Sequence, residues 1–276
     1  MPELPEVESV KRGLAKELAL PLVVTDVELR RPDLRFPFPR TLRAHLRGAR
    51  LESLERRGKY ILFRFDRGVL LTHLGMTGSW RLQSSRDPLE LHDHVVLFFK
   101  KTGRSALVYN DPRRFGFFDW IDRDQSLEAN RFLKLLGPEP LSSDFSPGIL
   151  KAKLRARSAA VKVLLMDAKV VVGVGNIYAS EALFRAGIRP SALGKRITSA
   201  QSERIVESVK AVLQEAIESG GSTIRTYRGA DGKAGDFQSR HFVYERKNEP
   251  CRVCGTKIKH IIQAGRSTYY CPTCQK

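Results

Sequence analysis

The chain has 276 residues, 42% of them hydrophobic, enough to bury the core of one large domain or of two without covalent staples. Lysine and arginine number 48 against 30 acids, a formal charge of +18 spread along the whole length, so the expected partner is a polyanion met by folded surface rather than by a basic tail. No apolar run approaches the ~20 residues of a membrane helix and no secretory leader is visible, which excludes a helical membrane protein and makes a single chain in the cytoplasm the expectation.

The chain opens on Met1-Pro2-Glu3-Leu4-Pro5-Glu6-Val7-Glu8. Removal of Met1 would expose the secondary amine of Pro2, an α-amine that titrates near pH ~8 and is partly unprotonated at neutrality. Such an amine is a candidate nucleophile for an electrophilic carbon, with an iminium as product. Glu3, beside it, is placed to give or take a proton. The plainer alternative is a trimmed terminus in which Pro5 opens a helix. Residues 5–19 read as an amphipathic helix, with Val7, Val10, Leu14 and Leu18 on one face.

From about residue 20 to 121 the pattern is that of strands: Leu20–Val27, Tyr60–Phe65, Val69–Thr72, Ser79–Leu82, His94–Phe99, Ala106–Tyr109 and Phe115–Ile121. Turn signals separate them at Asp66-Arg67-Gly68, Thr102-Gly103 and Asn110-Asp111-Pro112, the rhythm of an antiparallel sandwich or barrel. Residues 122–148, polar and proline-bearing, read as the linker between domains. Helices are expected over Pro147–Ala156, Ala159–Ala168, Ile177–Ala186 and, most clearly, Ser199–Glu218, which Gly220-Gly221 closes. The Gly- and Arg-rich residues 219–240 read as a loop, and they contain no Walker-type phosphate loop.

All four cysteines fall in the last 26 residues, as Cys251-x2-Cys254, sixteen residues, then Cys271-x2-Cys274. Two such pairs fit a four-thiolate structural zinc site, with two disulfides as the alternative. The intervening residues fit a hairpin with arms at Lys257–Gln263 and Ser267–Cys271 and Arg266 in its turn, where a guanidinium can meet a phosphate. A metal pair at His92 and His94 is also open on spacing alone.

Several stretches together resemble the bacterial formamidopyrimidine-DNA glycosylases, which excise oxidised purines: Pro2–Glu8, His73-Leu74-Gly75-Met76-Thr77-Gly78, Asp111-Pro112-Arg113-Arg114-Phe115-Gly116, Val172-Gly173-Val174-Gly175-Asn176-Ile177-Tyr178-Ala179, and the ribbon with Gly265-Arg266-Ser267-Thr268. The resemblance runs from Pro2 to Lys276. It implies an α+β multidomain chain: an N-terminal helix plus antiparallel β-sandwich over 1–121, the linker 122–148, a helix-two-turn-helix domain with a lesion-capping loop over 149–235, and a zinc ribbon over 236–276, with DNA in the cleft between the main domains.

The resemblance further implies that Pro2 attacks C1′ of the damaged nucleotide as the base leaves, that Glu3 is the acid beside it, and that the Schiff base permits β- and δ-elimination. Lys59 would donate a proton in β-elimination, and Arg266 would bind phosphate and serve δ-elimination. Met76, Arg113 and Phe115 would fill the space left by an extruded base, with Arg113 reading the base opposite. His92, Arg113, Arg114, Arg157, Lys162 and Asn176 would hold DNA, Asn176 from a helix N-terminus. Thr223, Ile224, Arg225, Thr226 and Tyr227 would close over the lesion. One zinc ion, held by Cys251, Cys254, Cys271 and Cys274, is the implied cofactor, and duplex DNA with an oxidised purine or an abasic site the partner. Phe98-Phe99-Lys100-Lys101-Thr102 is longer than the family's usual pattern, which leaves the choice between His92 and His94 open. Two alternatives stand beside this reading: an endonuclease VIII-like enzyme for oxidised pyrimidines, disfavoured by Leu4, the Met76/Arg113/Phe115 group and the long 219–240 loop, and a non-catalytic zinc-ribbon DNA-binding protein.

Overall fold

The computed structural model describes residues 1–100, 103, 105–222 and 236–276. They form two compact units, one holding Met1–Lys134 together with the segment that begins at Gly220, the other holding Leu135–Ser219 and Asp236–Lys276.

In the first unit, helix α1 (Leu4–Leu18) buries Leu4, Val7, Val10, Leu14 and Leu18 as one stripe, as its three- and four-residue spacing dictates. Then come β1 (Leu22–Leu29), a short helix α2 (Leu42–Leu46), β2 (Arg50–Arg57), β3 (Tyr60–Phe65), β4 (Gly68–His73), β5 (Ser79–Gln83), β6 (Asp93–Phe99), β7 (Ala106–Asn110) and β8 (Phe117–Asp122). All pair antiparallel, in the order β5-β7-β6-β1-β2-β3-β4-β8. Strand β1 belongs to both halves of this order. Leu22 and Val23 pair with β2, and from Val24 onward the strand pairs with β6, with a register shift between Val24 and Asp26. The two halves face one another as a sandwich: Phe63 of β3 packs on Trp80 of β5 at 5.2 Å, and Phe118 of β8 on Tyr109 of β7 at 4.9 Å between ring centroids.

The structure departs from the expected elements at instructive places. Strand β2 is absent from the elements expected above because its alternation is hidden: of Arg50–Arg57 only Leu51 is fully buried. Its charges are matched by neighbours, Glu55 by Arg64 of β3 at 2.8 Å and Arg56 by Glu8 of α1 at 2.9 Å. Strand β1 begins at Leu22 rather than Leu20, since Pro21 has no N–H to give a ladder. Strand β8 begins at Phe117, which leaves Phe115 exposed in the preceding loop. Lys101 and Thr102, in the stretch that departs from the family pattern, lie outside the described residues.

In the second unit, α3 (Pro147–Leu154), α4 (Val161–Leu165) and α5 (Asn176–Arg185) precede α6 (Ser199–Glu218). Thr198 and Gln201 cap α6 reciprocally, with Gln201 N–H donating to the Thr198 hydroxyl and Thr198 N–H to the Gln201 side chain. Arg185 binds Glu215 through two bonds of 2.6 and 2.7 Å, joining α5 to α6. Helix α4 is shorter than the expected 159–168. The unit ends in a hairpin of β9 (Lys259–Gln263) and β10 (Arg266–Tyr270). Its two-residue turn, Ala264-Gly265, has φ of 46° and 71°, a type I′ geometry that fits the twist of the arms. Arg266 is therefore the first residue of β10, paired with Gln263, rather than part of the turn itself.

Candidate active site and metal centre

The start of the chain is fixed by carboxyl groups. Pro2 is buried, and Glu3 and Glu6 are 4% and 0% exposed. Glu3 is the N-cap of α1, and its N–H donates to one carboxyl oxygen of Glu6 at 2.8 Å; the other Glu6 oxygen accepts the N–H of Ser222 at 2.8 Å. Gly221, with φ +86°, packs so closely on Glu6 that a Cβ there would lie 2.9 Å from its carboxyl oxygen. Glu6 thus ties the first turn of α1 to the end of the described segment before residue 223. The proposed lesion loop, Thr223–Tyr227, lies outside the described residues.

Lys59 occupies the two-residue turn between β2 and β3, preceded by Gly58 at φ +57°. The helix that follows Pro2 and Glu3 supports this turn. Glu8 accepts from Arg56 at 2.9 Å, and Arg56 donates to the Gly58 carbonyl at 3.1 Å. Burial pushes the Glu8 pKa up, but its bonds to Lys11, Arg12 and Arg56 outweigh that and hold it at about 2. His73, opposite Tyr60 at the end of β4, is held at about 4, first by burial and then by the positive charges of Lys59 and Arg35. Its Nδ1 accepts the N–H of Gly75 at 3.0 Å, so the neutral ring carries its proton on Nε2. In the sequence His73 stands within a motif but without a role of its own; its neutrality becomes evident only from its burial and, after that, from the basic groups near it.

Met76 is half-buried in the β4–β5 loop, while Arg113, Arg114 and Phe115 are exposed in the β7–β8 loop. The Arg113 guanidinium lies 4.7 Å above the Phe115 ring. His92 is half-buried just before β6, whereas the Nε2 of His94 is engaged with the Asp111 carbonyl at 3.0 Å and its ring is 5% exposed. Of the two histidines, His92 is the one with surface to offer.

In the second unit the expected basic residues separate. Arg157 is half-exposed and paired with Asp167 at 2.6 Å, and Arg266 is exposed. Lys162 is only 1% exposed. Its ammonium donates to the Asn176 side-chain oxygen at 2.5 Å, the Ser267 carbonyl at 2.9 Å and the Thr268 hydroxyl at 2.7 Å. Asn176 itself is the first residue of α5, half-buried, with its amide nitrogen 3.4 Å from the Tyr244 hydroxyl. Glu181, on the same helix, is 0% exposed and accepts the amides of Phe242, Val243 and Tyr244 at 2.8–3.0 Å, fastening the segment that leads into the ribbon; its burial raises its pKa.

The four cysteine sulfurs lie within 4.8 Å of one another, the only group of three or more metal-ligating side chains so placed among the described residues. Cys251 and Cys274 are 3.9 Å apart and Cys254 and Cys271 3.5 Å. Sulfurs held about 2.3 Å from one tetrahedral zinc lie roughly 3.8 Å apart, while a disulfide needs about 2.05 Å. The donor set fits zinc and leaves no coordination position for water. The tight turn after Cys251 is closed by Gly255 N–H on the Cys251 carbonyl at 2.9 Å, and the turn after Cys271 by Gln275 N–H on the Cys271 carbonyl at 3.1 Å, so each turn brings its own pair of thiolates together.

Comparison with known proteins covers the whole chain. Residues 1–118 match the formamidopyrimidine-DNA glycosylase N-terminal domain, 136–228 the H2TH domain of the same enzymes, and 248–276 the zinc finger found in FPG and IleRS. Formamidopyrimidine-DNA glycosylases of Janthinobacterium sp. (strain Marseille) and Methylobacillus flagellatus are 48% and 49% identical, over all of this chain and 100% and 97% of their own. The crystal structure of MutM (Fpg) from Thermus thermophilus superposes with a TM-score of 0.88 at 39% identity, covering 99% of this chain and 98% of that one. A Lactococcus lactis Fpg variant in complex with Fapy-dG-containing DNA superposes at 0.91 and 37% identity, covering 100% of both chains.

Proposed function

The chain belongs to the formamidopyrimidine-DNA glycosylase family, and we infer that it excises oxidised purines from duplex DNA and cuts the strand at the resulting abasic site. The observation that carries the reading is the buried Pro2-Glu3 start, held by Glu6 in a chain that aligns with the family from end to end.

We assign the chemistry as follows. With Met1 removed, the Pro2 nitrogen forms a bond to C1′ while the glycosidic bond breaks and the base departs with a proton. Glu3 exchanges protons with the opened sugar. The iminium formed with C1′ acidifies C2′; loss of a C2′ proton expels the 3′ phosphate, and a second elimination expels the 5′ phosphate. Lys59, at the tip supported by Glu8 and Arg56, donates a proton during the first elimination, and Arg266 holds phosphate for the second. Met76, Arg113 and Phe115 occupy the gap left by the base. His92, Arg113, Arg114, Arg157 and Asn176 contact the DNA, and Lys162 serves that contact through Asn176.

Zinc, held by Cys251, Cys254, Cys271 and Cys274, supplies fold rather than chemistry. No described helix is long and apolar enough to cross a membrane, and we place the protein at the nucleoid.

Borohydride trapping on a duplex with one 8-oxoguanine opposite cytosine tests the reading. The expected result is a covalent adduct mapped to Pro2. Tight duplex binding without an adduct would return the binding-only alternative, and an adduct only with an oxidised pyrimidine would return the endonuclease VIII-like one.

A further inference from the structure

The two loops that carry Met76 and Arg113–Phe115 are joined by one buried side chain. Asp111 is 0% exposed and both of its carboxyl oxygens are used: one accepts the Thr77 hydroxyl at 2.5 Å, the other the Gly116 N–H at 2.8 Å. The Thr77 oxygen in turn accepts the N–H of Arg113 at 3.2 Å. A single hydroxyl, next in sequence to Met76, therefore holds the backbone of the residue that stacks on Phe115. The loop backbones also touch. Gly75, at φ +61°, lies so near the other loop that a Cβ would fall 2.4 Å from the Phe115 carbonyl carbon and the Gly116 nitrogen. Asp111 is itself held, its N–H donating to the His92 carbonyl at 3.0 Å and its carbonyl accepting from His94 at 3.0 Å.

We propose that Thr77 and Asp111 are positioning residues that register the Met76 loop with the Arg113–Phe115 loop, so that the apolar wedge and the base-reading arginine enter the duplex as one preset unit. The inference rests on the wedge reading of Met76, Arg113 and Phe115 given above. Its physical basis is preorganisation. Two independent loop tips would each lose conformational freedom on insertion, whereas tips already fixed to a common buried base lose little. Asp111 inside the clasp is buried and hydrogen-bonded on both carboxyl oxygens, while Arg113 and Phe115 at its tip are exposed, the arrangement that a wedge entering a base stack requires.

The test is single-turnover excision of 8-oxoguanine opposite cytosine by Thr77→Val, Thr77→Ser and Phe115→Ala proteins, with borohydride trapping on a preformed abasic site and thermal melting alongside. Val keeps the shape of Thr and removes the hydroxyl; Ser keeps the hydroxyl. Thr77→Val is expected to slow excision about tenfold, the effect of losing one hydrogen-bonded relay, with abasic-site trapping changed less than about twofold because no base has to be extruded there. Thr77→Ser is expected to restore excision, and Thr77→Val combined with Phe115→Ala to be no slower than Phe115→Ala alone, since residues acting as a unit are not additive. Unaltered excision by Thr77→Val beside slow excision by Phe115→Ala would overturn the clasp and leave the wedge standing. Unaltered excision by Phe115→Ala would overturn both. Failure of Ser to restore the rate, or equal losses at lesion and abasic site together with a lowered melting temperature, would reduce the pair to ordinary structural support and overturn the proposal.

Discussion

The ammonium of Lys162 donates to the side-chain oxygen of Asn176 at 2.5 Å, and the same ammonium reaches Ser267 and Thr268 of the ribbon hairpin. Three hydrogens meet three oxygens in a site 1% exposed. Lys162 thereby fixes the amide at the tip of α5 and anchors the strand that begins at Arg266.

A lysine so placed predicts an unusual mutational signature. Lys162→Met should weaken duplex binding, since the buried Thr268 hydroxyl loses its donor at about 1–3 kcal/mol before relaxation and the half-buried Asn176 and Ser267 oxygens lose theirs at a smaller cost. The salt dependence of binding should keep its slope, because no phosphate contact is lost. Arg266→Ala should instead lower the slope by about 0.9, the signature of one phosphate contact. Fluorescence anisotropy over a salt series separates the two, and a reduced slope for Lys162→Met would place that ammonium on DNA after all.

Glu6 receives the N–H groups of Glu3 and Ser222 on its two oxygens. In Glu6→Gln the side-chain NH2 must oppose one of those N–H groups, at a cost of roughly 1–3 kcal/mol. The expected result is a fall in trapped adduct of about tenfold or more, with the zinc content unchanged. An adduct yield equal to wild type would mean that Glu3 keeps its place without Glu6.

Glu8 gives the protein an acid-side pH dependence. Its folded pKa is about 2 against an ordinary value of 4.5, so between those limits the folded protein binds fewer protons than the unfolded chain. The stabilisation is complete above about pH 4.5 and is lost as pH falls toward 2. Allowing for solvent screening of the ion pairs, it amounts to about 1–2 kcal/mol. Denaturant melts from pH 3 to 6 should show Glu8→Gln with a flatter profile than wild type, and lower stability at pH 6. Parallel profiles would remove Glu8 from the acid transition.

Zinc should be present at one per chain by elemental analysis, and chelation should unfold the ribbon, since binding energy and folding energy are shared in such sites. Duplex affinity should fall with the metal, because two of the three oxygens that hold Lys162 belong to the hairpin between the cysteine pairs. Cys274→Ser should reproduce the loss. Full affinity in a zinc-free protein would show that the ribbon folds on its own.

Much of this is legible in the residues, and the exceptions share a cause. Ser199–Glu218 is readable because its apolar period, its Thr198 cap and its glycine stop agree. The cysteine pairs are readable because ligand spacing is local. Strand β2 is not, since its charges are neutralised by Arg64 and Glu8, partners from elsewhere in the sequence. Nor is the burial of Lys162: in a basic stretch it looks solvated, and the groups that bury it come from 14 to 106 residues away. Thr77 and Asp111 lie 34 residues apart, and only the pairing of β5 with β7 brings them to one bond.

Strand β1 divides its pairing between β2, which follows soon after it, and β6, whose Val95–Phe99 emerge some seventy residues later. During synthesis one layer of the sandwich can assemble while the other waits, and until it closes the apolar face of α1 has no complete floor. Contacts this distant slow closure. The helix that follows Pro2 is thus made early and seated late, and its apolar stripe stays uncovered until the second layer closes.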